Sequence, residues 1–389
     1  LPSYSPMEGE LLMSVLPYKG VSIFNEDGTY RKEDDVVQGR SYSSNLTKLL
    51  KQLPKLQNMQ EGKPASPVMA HMSITNYCNL TCSFCCFANR DISEKMPTEK
   101  VFQALESFKQ IGVTGVEFTG GGEPSIHPHF KEIVHYAKDL GFSLGICTNA
   151  ARFGMDRPIK KDIVELFDWV RMGMYGFYEG YDYDLRVFEG TNCKPSAAYV
   201  WDENLDTSNN PNIKGDWSDV KNKRMLSKKF QTTENFIRML DWVEENKIPC
   251  RIAFNAIKDV KETAKDIETI RGIIHSYEKD RGRKLQSAFL SDFNFKGERR
   301  NDHCYMHMVK PFLFTDGYIY ACPSAELSIE NNYNYVPESQ FAVCDIDGIE
   351  EFYSKPPTLR HHACHYCKYA MQNELIDDVL TDTIHNDFA

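Results

Sequence analysis

The chain has 389 residues, enough for more than one average domain and for a large buried core. Its 55 acidic and 45 basic side chains leave a formal charge of −10, which excludes a basic surface for nucleic acid or for an anionic membrane. The 12 cysteines, clustered and with no secretory leader ahead of them, read as metal ligands in a reducing, cytoplasmic compartment, and no apolar run approaches a membrane span.

In chain order, residues 1–65 read as an N-terminal extension, a cap or a docking segment, with a hairpin at 11–24 and a helical apolar rhythm at 46–59. From 66 to 295 strand and helix patterns alternate, which predicts a parallel α/β sheet. The expected strands are 68–74, 115–119, 142–148, 169–174, 249–256 and 285–291, and the expected helices are 98–110, 129–140, 160–167, 232–246 and 260–277. Between them, 175–224 reads as an insertion. It opens on Tyr175, Phe177, Tyr178, Tyr181 and Tyr183 and turns polar at 202–219, as a substrate-facing lid or a solvated loop would.

Three features carry chemistry. The stretch Cys78-Asn79-Leu80-Thr81-Cys82-Ser83-Phe84-Cys85 sets three cysteines at a Cys-x3-Cys-x2-Cys spacing just after the first strand. Three thiolates on one loop can hold three irons of a cubane cluster and leave the fourth open, whereas electron-transfer clusters are normally closed by four. A zinc knuckle is the alternative use of the same thiolates, and Cys86 reads as a buried free thiol. Next, Gly120-Gly121-Gly122-Glu123-Pro124 ends the second strand, where glycines let the backbone approach a ligand and leave amides free. The third is C-terminal: Cys304 and Cys322 flank a hairpin turned at Asp316-Gly317, and Cys364-His365-Tyr366-Cys367 adds a hook, so four cysteines can close a complete site. Zinc is the rival there, with His361, His362 and His365 crowding the hook. His71, His127 and His307 read as surface or packing residues, and Cys147, Cys193 and Cys250 as lone core thiols, of which one facing the sheet interior could return a hydrogen atom to a radical.

With Phe84 directly before the third cysteine, the first loop resembles the signature loop of radical S-adenosylmethionine (SAM) enzymes. The resemblance implies a partial (β/α)6 barrel over 66–295 and a smaller twitch- or SPASM-like auxiliary domain over 296–389. Its open iron would chelate SAM, and reductive cleavage would give a 5′-deoxyadenosyl radical that abstracts a substrate hydrogen. It further implies that Gly121, Gly122 and Glu123 bind the SAM amino group and that Phe84, Thr148, Asn149 and Asn255 belong to the SAM pocket. Cys304, Cys322, Cys364 and Cys367 would then hold one auxiliary [4Fe–4S] cluster, with Cys344 as a spare. One departure stands out: Val170-Arg171-Met172-Gly173-Met174-Tyr175-Gly176 has Gly173 where relatives place a ribose-contacting Ser. Implied partners are an electron donor such as flavodoxin or ferredoxin, a peptide substrate undergoing maturation, and a separate leader-peptide-binding protein. The alternatives are a dehydrogenase of a small polar metabolite, of aminocyclitol or sugar type, with the auxiliary cluster as electron acceptor, and a non-enzymatic iron–sulfur or zinc scaffold.

Overall fold

The computed structural model describes residues 48–49, 51–80, 82, 84–87, 90–153, 158–201, 232–255, 260–290, 303–325, 335–357, 360–361, 364 and 367–381. The expected hairpin at 11–24 and the polar stretch 202–219 lie outside the described residues. A helix, α1 (Leu53–Gln60), leads into β1 (Met69–Ser73). Six further strands follow: β2 (Gly115–Thr119), β3 (Ser143–Thr148), β4 (Trp169–Gly173), β5 (Lys194–Trp201), β6 (Cys250–Phe254) and β7 (Ala288–Leu290). All pair in parallel and in sequence order. Among the described residues one α-helix lies between each successive pair: α2 (Thr98–Gln110), α3 (Phe130–Asp139), α4 (Lys161–Val164), α5 (Gly176–Glu179), α6 (Thr233–Glu245) and α7 (Val260–Arg281). Parallel strands need such crossovers, so the alternation seen in the sequence becomes an open, barrel-like α/β sheet.

Among the described residues of 66–295, seven parallel strands form where the sequence pattern marks six. The additional strand β5 falls inside 175–224, the stretch read as an insertion. It begins Lys194-Pro195-Ser196, and a proline demotes a strand pattern, so only the apolar Ala197–Trp201 half carries the signal.

The two faces of the sheet differ in kind. One register row runs through Met72, Phe118, Ile146 and Val170, each at most 1% exposed, and packs under the helices. Phe118, for example, meets Phe130 and Phe167 edge-on at centroid distances of 6.3 and 6.5 Å. Helix α2 answers with Val101, Ala104, Leu105 and Phe108, a single stripe at helical spacing. Each such large side chain is worth about 1.5–3 kcal/mol in burial. The opposite face, one residue out of phase along each strand, carries His71, Glu117, Cys147, Arg171 and Arg251.

The C-terminal segment continues the same sheet. It holds β8 (His303–Cys304), α8 (Met306–Val309), β9 (Phe312–Leu313), β10 (Tyr318–Tyr320), β11 (Ala342–Asp345), α9 (Ile349–Tyr353), β12 (Arg360–His361) and α10 (Ala370–Leu380). Strand β9 pairs in parallel with β1 through His71–Phe312 and Met72–Leu313, and then forms an antiparallel hairpin with β10. The hairpin turns at Asp316-Gly317 as the sequence predicts. Gly317 takes a φ of +85°, which favours glycine, and Asp316 Oδ1 accepts from the Tyr318 amide at 2.9 Å.

Candidate active site

The cysteine loop leaves the C-terminal end of β1, and the Gly-Gly-Glu loop leaves the C-terminal end of β2 beside it. The two run together. The Gly121 amide donates to Ser73 Oγ at 2.9 Å, the Gly122 amide to the Thr75 carbonyl at 3.0 Å and the Glu123 amide to the Tyr77 carbonyl at 2.9 Å. These amides are therefore not left free, contrary to expectation, because the loop prolongs the pairing of β1 with β2. What such a loop can still offer a ligand is carbonyl acceptors, the partner an ammonium needs. The close approach explains the glycines. A Cβ on Gly122 would stand 2.1 Å from the Tyr77 carbonyl, and one on Gly121 would stand 2.1 Å from Asn76 Oδ1. That Asn76 oxygen is itself buried without a hydrogen-bond partner.

Glu123 is buried, and both its oxygens are used. Oε1 accepts from the Ser125 amide at 3.1 Å and from Thr148 Oγ1 at 2.7 Å, and Oε2 accepts from the Asn149 amide at 2.6 Å. Burial raises its carboxyl pKa and these donors oppose the rise. Asn149 passes the connection on, its Nδ2 donating to Asn79 Oδ1 at 2.8 Å and lying 3.7 Å from Cys78 Sγ. Thr148, Asn149 and Glu123 thus tie the ends of β2 and β3 to the cysteine loop.

Cys78, Cys82 and Cys85 lie close enough for each thiolate to disfavour the next. Burial pushes the Cys78 thiol up to about 11 and Cys82 well above its ordinary value, while the Arg90 guanidinium pulls both down. Arg90, which no sequence pattern marks, is buried. It donates to the Asn76 and Phe87 carbonyls at 2.8 and 2.6 Å and lies 3.5 Å from Cys85 Sγ. The Leu80 amide donates to Cys78 Sγ at 3.4 Å. Three thiols in a pocket that resists thiolates fit a multi-iron cation, which supplies the charge to deprotonate them, and N–H donors aimed at the sulfurs suit cluster ligands.

The Phe84 ring meets Tyr175 at 5.4 Å. Tyr175 also accounts for the departure at Gly173, where a Cβ would lie 2.5 Å from its ring. A serine there would collide with the tyrosine. The Gly173 carbonyl is instead held by the Tyr183 hydroxyl at 2.9 Å. Asn255 is buried directly after β6.

The C-terminal cysteines also gather. Pairing of β12 with β8 sets Arg360 opposite Cys304, and the Cys322 thiol is raised by burial and by Cys304, Cys364 and Cys367 around it. Asn373 Nδ2 lies 3.5 Å from Cys367 Sγ while its Oδ1 accepts from the Tyr305 amide at 2.8 Å. Cys344 sits on β11 opposite Ile319. Of the hook histidines, His361 ends β12, and His362 and His365 lie outside the described residues. Among the described residues no three His, Cys, Asp or Glu side chains close on a single-ion position. Cysteines that ligate separate irons of a cluster need not converge that tightly.

Two residues read as a packing histidine and a lone core thiol have polar partners. His71 faces the interior and pairs with Glu117 at 3.0 Å, and Cys147 donates to the same carboxylate at 2.8 Å. Neither spacing nor composition links these positions, because only the strand register brings them together. His127 and His307 are buried, as packing residues would be, and so are Cys193 and Cys250.

Residues 72–179, which contain the three cysteines and the Gly-Gly-Glu loop, match the family model described as the radical SAM superfamily. This chain carries a radical SAM domain. The domain is 31% identical over 98 residues to the S-adenosylmethionine-dependent nucleotide dehydratase of Selenomonas ruminantium, a match that covers 25% of this chain and 35% of that protein. It is 30% identical over 84 residues to the sporulation killing factor maturation protein SkfB of Bacillus subtilis, covering 21% and 20%. The chain thus spans about a third or less of the length of these curated relatives. Among solved structures, Streptococcus suis SuiB bound to precursor peptide SuiA aligns with a TM-score of 0.47 and 17% identity, over 88% of this chain and 75% of that one. Among the described residues no helix is long and apolar enough to cross a membrane.

Proposed function

We propose that this protein is a radical SAM enzyme that opens its catalytic cycle at Cys78, Cys82 and Cys85 and acts on a substrate held inside the barrel. The observation that supports this most is the junction of the cysteine loop with Gly121, Gly122 and Glu123 within the stretch matching the radical SAM family. With cluster and SAM bound, the cofactors supply reductive SAM cleavage and hydrogen abstraction. The protein's part is placement. Cys78, Cys82 and Cys85 hold three irons, and Arg90 and the Leu80 and Asn149 N–H groups fix the thiolates. The carbonyl side of the Gly-Gly-Glu loop receives the SAM ammonium, and Phe84 with Tyr175 closes the pocket beside it. Cys304, Cys322, Cys364 and Cys367 hold a fully ligated auxiliary [4Fe–4S] cluster.

Two substrate classes follow from different observations. Peptide maturation, with a reductant such as flavodoxin or ferredoxin and a leader-binding partner, is supported by relatives such as SkfB, named as a maturation protein. A small polar metabolite is supported by the charged side chains that converge in the barrel interior: Glu117 with His71 and Arg171. Anaerobic reconstitution, reduction and incubation with SAM test the core of the proposal. Formation of 5′-deoxyadenosine by the parent and not by a Cys82→Ala variant is expected. Intact SAM with a fully loaded parent would overturn it.

A further inference from the structure

Of the three lone thiols Cys147, Cys193 and Cys250, the structure turns one away from the helices. Cys250 faces them, its Sγ 3.7 Å from Met239 Sδ of α6, and Cys193 is buried ahead of β5. Cys147 lies on the opposite face of the sheet and keeps part of its surface exposed. Its Sγ donates to Glu117 Oε1 at 2.8 Å and accepts from Arg171 Nη2, while the other carboxylate oxygen pairs with His71 Nε2 at 3.0 Å. Two residues beyond Cys147, Asn149 reaches Cys78 Sγ at 3.7 Å, and two beyond His71, Ser73 holds the Gly121 amide. The set therefore lies one side-chain step below the cysteine and Gly-Gly-Glu loops.

His71 is 9% exposed, and its Nδ1 is buried with no hydrogen-bond partner. With Nε2 engaged by the carboxylate, the neutral ring presents Nδ1 as an acceptor, and a buried acceptor left unpaired is costly. An O–H or N–H of a bound molecule completes it. Cys147 stays a thiol, since burial raises it most, Arg171 opposes the rise and Glu117 adds to it. Glu117 stays ionised, because His71 and Arg171 outweigh the burial that works to raise its carboxyl. A thiol that neither ionises nor ligates metal keeps a weak S–H bond, which a carbon radical can take. We infer that Cys147 is the hydrogen-atom donor of the barrel, passing its S–H hydrogen to the substrate radical. The S–H bond breaks homolytically, a C–H bond forms at the radical carbon, and a Cys147 thiyl remains. One electron from the flavodoxin- or ferredoxin-type donor and one solvent proton, delivered at Glu117 Oε1, restore the thiol. The substrate is then changed without net oxidation, by inversion at a C–H centre, and the new hydrogen is of solvent origin. The inference rests on the proposed function, which supplies the radical.

The test uses the anaerobically reconstituted full chain and two readouts. In infrared spectra, the parent minus Cys147→Ala difference should show an S–H stretch lowered by hydrogen bonding. It should move to S–D in D2O and rise in Glu117→Gln, all without turnover. Absence of that band, or a band that does not exchange, overturns the inference. The second readout is SAM turnover in D2O with no added substrate, where the 5′-deoxyadenosyl radical is itself the carbon radical beside Cys147. Deuterium at the 5′ carbon of 5′-deoxyadenosine is expected from the parent and from Cys193→Ala. Its loss, per molecule formed, is expected from Cys147→Ala and from the closer-sized Cys147→Ser. Unlabelled product from the parent, or label that survives both Cys147 variants, defeats the inference and leaves the proposed function standing. Intact SAM beside a normal S–H band sinks the proposed function, and the inference with it.

Discussion

Cys78, Cys82 and Cys85 arrive on one loop after β1, whereas Cys304, Cys322, Cys364 and Cys367 are drawn from β8, from the end of the β9–β10 hairpin and from the segment ahead of α10. The first site is local and braced from below: the β2 loop pairs with it through three backbone amides, and Glu123 and Asn149 hold its flank. The second exists only because β12 pairs with β8 and because the hairpin docks on β1. A local loop can present an incomplete ligand set and stay ordered, since its shape comes from its brace. A site assembled from distant segments needs its metal to complete it, so it suits a closed, four-cysteine role. Phe87 joins the two, leaving the cysteine loop to stack on Tyr335 at 5.5 Å and on Phe314 at 6.3 Å.

The sharpest way to separate the sites is to remove one ligand from each. Cys82→Ala should abolish 5′-deoxyadenosine formation, while Cys304→Ala should retain the iron bound by the first loop and lose the rest. Cys344→Ala should lose no iron, as measured by metal analysis after reconstitution. Phe87→Ala should then break the connection between them. Truncating this buried ring costs about 3–5 kcal/mol, so the melting midpoint should fall and loading of both sites should suffer together. Gly122→Ala attacks the brace, because its methyl would meet the Tyr77 carbonyl at 2.1 Å. A loss of about 1–3 kcal/mol is expected by denaturant titration, with iron lost from the first site before the second. Asn149→Ala is the mildest. It removes the donor to Asn79 and costs about 0.5–1.5 kcal/mol, with slower reconstitution of the first site and normal auxiliary loading.

How much of this was legible in the sequence follows the same division. The three-cysteine loop, the Gly-Gly-Glu loop and the Asp316-Gly317 turn are short-range patterns, and each stands where the spacing predicts. Helix α2 and strand β2 match their expected bounds to the residue. Strand β5 was hidden because a proline and polar flanks mask its apolar half. Arg90 carries no pattern at all, since a lone arginine gains its role only when folding buries it beside Cys85. The freedom expected for the Gly121 and Gly122 amides failed for a related reason: whether a loop's donors are spent depends on the neighbouring strand, and that is a fact of packing. The interior set of His71, Glu117, Cys147 and Arg171 sits on four different strands, β1 to β4, so only strand pairing reveals it.

Iron and sulfide content, measured with the visible spectrum on anaerobically reconstituted parent and on the Cys78→Ala/Cys82→Ala/Cys85→Ala triple variant, tests the two-site claim most directly. About eight irons in the parent and about four in the variant are expected for two cubanes. About four irons falling to none, with one zinc in both proteins, would contradict the auxiliary cluster while leaving the radical SAM site in place.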